Sequence, residues 1–165
     1  MICIVQVRLT SHWLGESKPD HRGMRRFKTG RNNLVEVNQK FWQDQFARAA
    51  RNLQLDLDIR RTLMPPPGIL PASIHLYRRV YSQVCVEFFE SFRKGTILNF
   101  ELMIREDLPK HPQGGQLKAI LGFTGQHLGL SQFGSKFGFG RFDLLNVSHV
   151  GWQPEGHRGT FSSPG

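Results

Sequence analysis

The segment 96–104, TILNFELMI, places a large apolar side chain at every second position. Those side chains belong to Leu98, Phe100, Leu102 and Ile104. Alternate residues of a strand point to the same face, so the segment predicts a β-strand with one face in a core. Residues 2–10 show the same period through Cys3, Val5, Val7 and Leu9. Two strands of this kind favour an antiparallel sheet that is covered on one face only.

Two segments instead follow the period of a helix. Between residues 37 and 53, apolar side chains recur at steps of three and four, and Asn38 precedes them as a candidate N-cap. A second helix is predicted from about Gln116 to Leu128. It contains Gly122 and Gly125, which we expect to permit close packing because each costs roughly 1 kcal/mol of helix stability against Ala.

The remaining elements complete the order. Residues 55–64 and 71–84 predict strands that pair as a hairpin around a proline-rich loop, and residues 86–95 predict a helical turn closed by Gly95. The strand RFDLLNV ends the pattern at residue 147. This order is typical of an α+β protein with a single ferredoxin-like (RNA-recognition-type) domain over residues 1–150. Its antiparallel sheet would carry two helices on one face, and residues 151–165 would form a flexible tail.

The composition narrows the class of protein. With 39% hydrophobic and 21% charged residues over 165 positions, the chain fits one globular domain. Neither a membrane-spanning run nor a signal peptide is recognisable, so a cytoplasmic location without membrane contact is expected. Cys3 and Cys85 lie in apolar runs and are expected to be buried free thiols. No metal-binding spacing and no cofactor fingerprint occurs, so no metal and no cofactor is expected.

Positive charge is the strongest compositional signal. Lys and Arg number 22 against 13 Asp and Glu, which gives a net charge of +9. A domain this basic usually binds a polyanion, most often nucleic acid, although a merely well-solvated surface remains an alternative. A long loop at about residues 15–33 concentrates the charge, and Arg78 and Arg79 add a pair on a predicted strand. The candidate phosphate-binding residues of this loop are Arg22, Arg25, Arg26, Lys28 and Arg31.

A glycine- and aromatic-rich segment, GLSQFGSKFGFGRF, covers residues 129–142. Its glycines are Gly129, Gly134, Gly138 and Gly140. Glycine allows positive φ and close backbone approach, so we expect this glycine-rich loop to press against the sheet and expose backbone N–H groups. Together with Ser135, Lys136 and Arg141, such groups would suit phosphate oxygens. A purely structural crossover is the alternative.

The same segment resembles the C-terminal glycine-rich loop of the RAMP superfamily, the repeat-associated mysterious proteins of CRISPR systems. The resemblance lies in Gly129-Leu130, Lys136 and the step Gly138-Phe139-Gly140, which leads into the last strand. Similar loops also occur in uncharacterised phage and mobile-element proteins. The resemblance implies ferredoxin-like architecture and RNA binding. It also implies that some relatives cleave RNA without a metal through a histidine base, for which His12 and His21 are the candidates.

Three functions follow as hypotheses. The first is an RNA-binding protein, within or beside an antiviral CRISPR-type ribonucleoprotein or in a mobile-element relative. The second is a metal-independent endoribonuclease that uses His12 or His21, although the residues alone do not lead us to predict an enzyme. The third is a protein-interaction subunit, or a phage-encoded inhibitor that mimics a RAMP fold and docks on another protein complex.

Overall fold

The computed structural model of the chain describes residues 1–82, 85–132 and 135–150. It shows an α+β protein whose strands pair mostly antiparallel, with three α-helices in the described part. The strands are β1 (Ile2–Leu9), β2 (Trp13–Leu14), β3 (Met24–Arg25), β4 (Val35–Glu36), β5 (Leu63–Met64), β6 (Gly68–Ile69), β7 (His75–Ser82), β8 (Cys85–Phe92), β9 (Ile97–Ile104) and β10 (Phe142–Val150). The helices are α1 (Gln39–Asn52), α2 (Ile59–Thr62) and α3 (Gly114–Phe123).

The first sheet has four strands in the order β10-β1-β9-β5, and every pair is antiparallel. The register places Val5 of the central strand β1 opposite Phe100 on one side and Val147 on the other. The alternating residues predicted to face the core are all buried, both in β1 and in β9. The one-sided period therefore predicted these two strands correctly.

Helices α1 and α3 supply the other half of the core. Asn38 caps α1 as predicted, because its Oδ1 accepts a hydrogen bond from the Phe41 N–H at 3.0 Å. Trp42 lies at the centre of the packing and meets the Phe100 ring edge-on, with ring centroids 5.0 Å apart. Helix α3 continues into a π-helical turn, Thr124–Leu128, before the chain enters the glycine-rich loop.

A second sheet is built around β8. This strand pairs antiparallel with β7 and also contacts β2 and β3. The prediction of a helical turn at residues 86–95 is wrong. A short apolar run fits the period of a helix and that of a strand equally, and here the pairing with β7 makes the segment a strand. The 15–33 loop lies against this sheet through β3, which runs parallel to β8.

Three further expectations fail. Only Leu63 and Met64 of the predicted strand 55–64 are extended, because Asp58 precedes the short helix α2. The expected hairpin around the prolines does not form, since β5 pairs with β9 and β7 with β8. A Cβ on Gly122 would meet open space, whereas one on Gly125 would lie 2.3 Å from the Phe142 carbonyl oxygen. Only Gly125 therefore permits close packing.

Among the described residues no helix is long and apolar enough to cross a membrane. Cys3 is a buried free thiol, as expected, and burial raises its pKa to about 11. The predicted flexible tail, residues 151–165, lies outside the described residues.

Candidate nucleic-acid interface

The glycine-rich loop is held at its start by helix α1. The buried Gln45 side chain donates hydrogen bonds to the carbonyl oxygens of Leu128 at 3.3 Å and Gly129 at 3.0 Å. These two carbonyl groups would otherwise be left without partners at a helix end. Gln45 therefore fixes the point where the loop leaves the helix. Sequence reasoning missed this role, because nothing local in the sequence connects residue 45 with residue 129.

The two ends of the loop are pressed together. Gly140 adopts φ of 74°, and a Cβ there would lie 2.3 Å from the backbone nitrogen of Ser131. Leu130 N–H donates to the Gly140 carbonyl at 3.0 Å, which closes the loop. Gly129 also has positive φ, at 78°. Both positions need glycine for a steric reason and for a conformational one.

The backbone N–H groups of these glycines are already used within the chain. Gly129 donates to Thr124, Gly138 to Ser135 and Gly140 to His12, at distances of 2.7 to 3.0 Å. These three N–H groups are therefore not free to bind phosphate. Gly134 lies outside the described residues.

The loop places two phenylalanines against β7. The Phe139 ring meets Tyr77 edge-on with centroids 5.5 Å apart, and Tyr77 in turn lies 4.9 Å from the His12 ring. The Arg79 guanidinium carbon lies 4.5 Å from the centroid of Phe137 and 5.7 Å from that of Phe139. We call His12, Tyr77, Arg79, Phe137 and Phe139 the aromatic–arginine cluster.

Phe137 is the most exposed member of this cluster, with 71% of its surface accessible. An exposed aromatic ring held beneath a guanidinium is a surface on which a nucleic-acid base can stack. By contrast, in the β10-β1-β9-β5 sheet the face opposite the helices has no Phe, Tyr or Trp among its described residues. It carries Ile4, Gln6, Asn99 and Glu101. Base stacking on the sheet itself, as in RNA-recognition-type domains, therefore has no platform in the described part.

His12 is the member of the cluster that lies beside Arg93 and Lys94, the basic residues after β8. Its Nδ1 accepts a hydrogen bond from the Lys94 N–H at 3.4 Å. Partial burial lowers the pKa of His12 below its ordinary value, and the positive charge of Arg93 lowers it further. The imidazole is therefore held neutral near pH 7, the state required of a general base.

The positively charged loop at about residues 15–33, here called the basic loop, is ordered by its own charged groups. The Asp20 carboxylate accepts hydrogen bonds from the N–H groups of Arg22 and Met24 and from the Arg26 guanidinium, which together lower the pKa of Asp20. Arg26 also lies 3.7 Å from Glu90, and Arg25 donates to the Ser17 carbonyl. Two of the predicted phosphate ligands thus help to shape the loop.

The other predicted site residues divide by position. Arg22, Lys28 and Arg31 are exposed on the basic loop, as is His21, which lies on a different segment from the cluster. Arg78 is exposed and alternates with Arg79 along β7, so the two point to opposite faces. Lys136 is exposed beside Phe137, and Ser135 is partly buried. The Arg141 guanidinium turns back to the His127 carbonyl at 3.3 Å.

A polar pocket that the sequence did not predict lies where the two loops meet. Glu16 Oε1 accepts the Gln132 N–H at 2.7 Å, and the Gln132 side chain accepts from Asn38 at 2.8 Å. Burial raises the pKa of Glu16 to about 7, and Lys28 opposes that effect only in part. The adjoining cavity has a volume of about 320 Å³. No sequence signal identifies Glu16, which is one acid among many polar loop residues.

Metal chemistry finds no support in the described residues, where no group of three or more His, Cys, Asp or Glu side chains is placed to bind an ion. No family model matches the chain, and no curated protein matches it. The residues of the two loops and of β7 are therefore the basis for a functional conclusion.

Proposed function

We propose that the chain is a RAMP-type protein that binds single-stranded RNA and has a ferredoxin-like fold. The connectivity supports the fold, because β1, α1 and β5 precede β9, α3 and β10 in a sheet of order β10-β1-β9-β5. Ferredoxin-like domains have a sheet of four such strands with two crossing helices. The short pieces β2, β3, β4 and β6 and the β7–β8 hairpin are then additions to that frame.

The aromatic–arginine cluster carries the proposal of RNA binding. It combines an exposed ring for stacking, a guanidinium and a neutral imidazole on one surface. Both phenylalanines come from the glycine-rich loop, the segment that resembles the RAMP loop. Stacking of a base on an aromatic side chain is worth about 1 to 3 kcal/mol and does not depend strongly on sequence. Single-stranded RNA offers such unpaired bases.

Phosphate contacts supply the rest of the affinity. Lys136 next to the cluster and Arg22, Lys28 and Arg31 on the basic loop are exposed cations. Each phosphate neutralised on a single strand contributes about 0.7 to the slope of log affinity against log salt. The complex is therefore expected to weaken steeply as salt is raised.

The decisive experiment measures binding of a fluorescein-labelled U-rich RNA by fluorescence anisotropy. Phe137→Ala should weaken binding about 5- to 150-fold, which corresponds to the loss of one stacked base. Leu70→Ala is the matched control, because Leu70 is equally exposed at 70% but lies outside the cluster. Equal affinities for the two variants would refute the site.

A second pair of variants tests the phosphate contacts. Lys136→Gln should lower the salt slope by roughly one contact, whereas Lys110→Gln should leave it unchanged, because Lys110 faces Asp56 on another loop. Absence of any RNA complex at low salt would refute RNA binding and favour the alternative of a protein partner.

A metal-independent endoribonuclease is the second candidate, and the geometry of His12 favours it. The imidazole is held neutral, touches Tyr77 and lies beside Lys94. In that reaction His12 Nδ1 would release the 3.4 Å hydrogen bond from the Lys94 N–H and take the 2′-hydroxyl proton. The 2′-oxygen would attack the phosphorus, the 5′-oxygen would leave with a proton from water, and a neighbouring cation would stabilise the phosphorane charge. RNA incubated in EDTA and resolved on denaturing gels should be shortened by the wild type and by His21→Ala, but not by His12→Ala. Intact RNA in every lane would exclude this activity.

A further inference from the structure

We propose that the polar pocket between the two loops binds a guanine base of the RNA, an inference that rests on the proposed function. The residues that line the pocket include Glu16, Lys28, Glu36, Asn38, Lys40 and Gln132. Its volume of about 320 Å³ lies at the small end of the range for ligand pockets, which suits a single base and not a larger ligand.

The carboxylate of Glu16 selects among the bases. Among the described residues its one hydrogen bond comes from the Gln132 N–H to Oε1, and the same side chain lines the cavity. An ionised carboxylate is only an acceptor. Guanine is the base that presents two adjacent donors, N1–H and the N2 amino group, on its Watson–Crick edge. Adenine and cytosine each pair one donor with an acceptor, and uracil has a single donor between two acceptors.

The other lining groups fit the rest of that base. Lys28 is exposed at the rim near Glu16, where its ammonium can donate to guanine O6. The amide side chains of Asn38 and Gln132 are oriented by their mutual hydrogen bond at 2.8 Å, so binding loses less side-chain entropy at these two positions. Trp13 and Trp42 line a separate, smaller cavity that shares Glu16, Lys28 and Asn38 with this pocket, so both indole rings lie close to the proposed base site.

The pocket lies within reach of the aromatic–arginine cluster. His12 of the cluster and Glu16 of the pocket are four residues apart, so their Cα atoms are at most about 14 Å apart. Both are also fixed to the glycine-rich loop, through the Gly140 N–H and the Gln132 N–H. A short single strand that stacks on Phe137 can therefore place a nearby base in the pocket.

Guanine recognition should strengthen as Glu16 ionises. The charged groups that face this carboxyl are Lys28, Glu36 and Lys40. Because burial raises the pKa of Glu16 to about 7, guanine selectivity should increase between pH 6 and pH 8. Binding of U-only RNA should not follow that trend.

The test compares three twelve-nucleotide RNAs that are identical except for a central G, A or inosine in a U background. The wild type should bind the G strand about tenfold more tightly than the A strand at pH 8. Inosine lacks the N2 amino group and should fall between them. Glu16→Gln should abolish the preference, and Glu106→Gln, at an exposed acid on another loop, should retain it.

The outcomes separate the two proposals. RNA binding without a guanine preference, or with a preference that Glu16→Gln retains, would overturn the pocket and leave RNA binding in place. A parallel titration uses guanosine and adenosine monophosphates and follows tryptophan fluorescence. Selective quenching by the guanosine nucleotide without any RNA complex would support the pocket and overturn RNA binding. If the protein binds neither RNA nor the guanosine nucleotide, the RNA-binding proposal and the guanine pocket are both overturned.

Discussion

Replacement of Glu16 by Gln should stabilise the protein in a pH-dependent way. The carboxyl is partly buried at the junction of the two loops, and burial raises its pKa from 4.5 to about 7. Gln keeps an oxygen that can accept the Gln132 N–H at the same position. The substitution therefore removes the cost of ionisation and preserves the hydrogen bond.

The sign and size follow from proton linkage. Between pH 4.5 and pH 7 the unfolded state ionises Glu16 while the folded state keeps it protonated, so the free energy of unfolding falls as pH rises. The difference between a pKa of 4.5 and one of about 7 corresponds to about 3 kcal/mol, an upper bound because the side chain is partly exposed to water. The penalty is absent well below pH 4.5 and complete above pH 7.

The assay is urea denaturation of the wild type and Glu16→Gln at pH 5, 6, 7 and 8, followed by tryptophan fluorescence. The variant should gain about 2 to 3 kcal/mol over the wild type between pH 5 and pH 8. Glu106→Gln, at an exposed acid, should track the wild type throughout. Parallel stability curves for the wild type and Glu16→Gln would refute the assignment of a raised pKa to this carboxyl.

Further substitutions test the packing. Gly125→Ala should destabilise by more than about 3 kcal/mol because its Cβ would strike the Phe142 carbonyl, whereas Gly122→Ala, which meets open space in the same helix, should gain up to about 1 kcal/mol; thermal melts compare them. Gln45→Leu should cost about 1 to 3 kcal/mol in urea denaturation, since it leaves the Leu128 and Gly129 carbonyls unpaired; a neutral result would contradict the anchoring role. In a Cys85→Ser background, Cys3 should react with iodoacetamide at pH 8 only after unfolding, because burial raises its pKa to about 11.

Periodicity predicted the elements that carry the main core. The alternation in β1 and β9 and the three-to-four step of α1 were strong because each runs for at least eight residues. Periodicity gave wrong predictions where the pattern extended over only a few residues. Residues 55–58 alternate for only two cycles before α2 begins, and β8 has an apolar run that fits a helix and a strand alike.

The site was predictable only as a set of segments. The charge of residues 18–31 and the composition of residues 129–142 identified the two loops, since both signals are local. The contacts that give them chemistry connect distant positions: Glu16 with Gln132, Arg79 with Phe137, and Gln45 with Gly129. A single sequence holds no record of such pairings, so the pocket and the cluster became visible only in the fold.

The position of β1 in its sheet has a consequence for synthesis. Both neighbours of this first strand, β9 and β10, lie far along the chain from it, and Ile4 pairs with Glu101 and with Ser148. The ribosome therefore synthesises β1 long before either partner strand exists, and β1 stays unpaired until the chain reaches β9 at Ile97–Ile104. Folding dominated by contacts this far apart in sequence is intrinsically slow. A nascent chain that stalls before residue 142 leaves the edge of β1 that pairs with β10 exposed. We expect such a chain to be bound by chaperones or to aggregate.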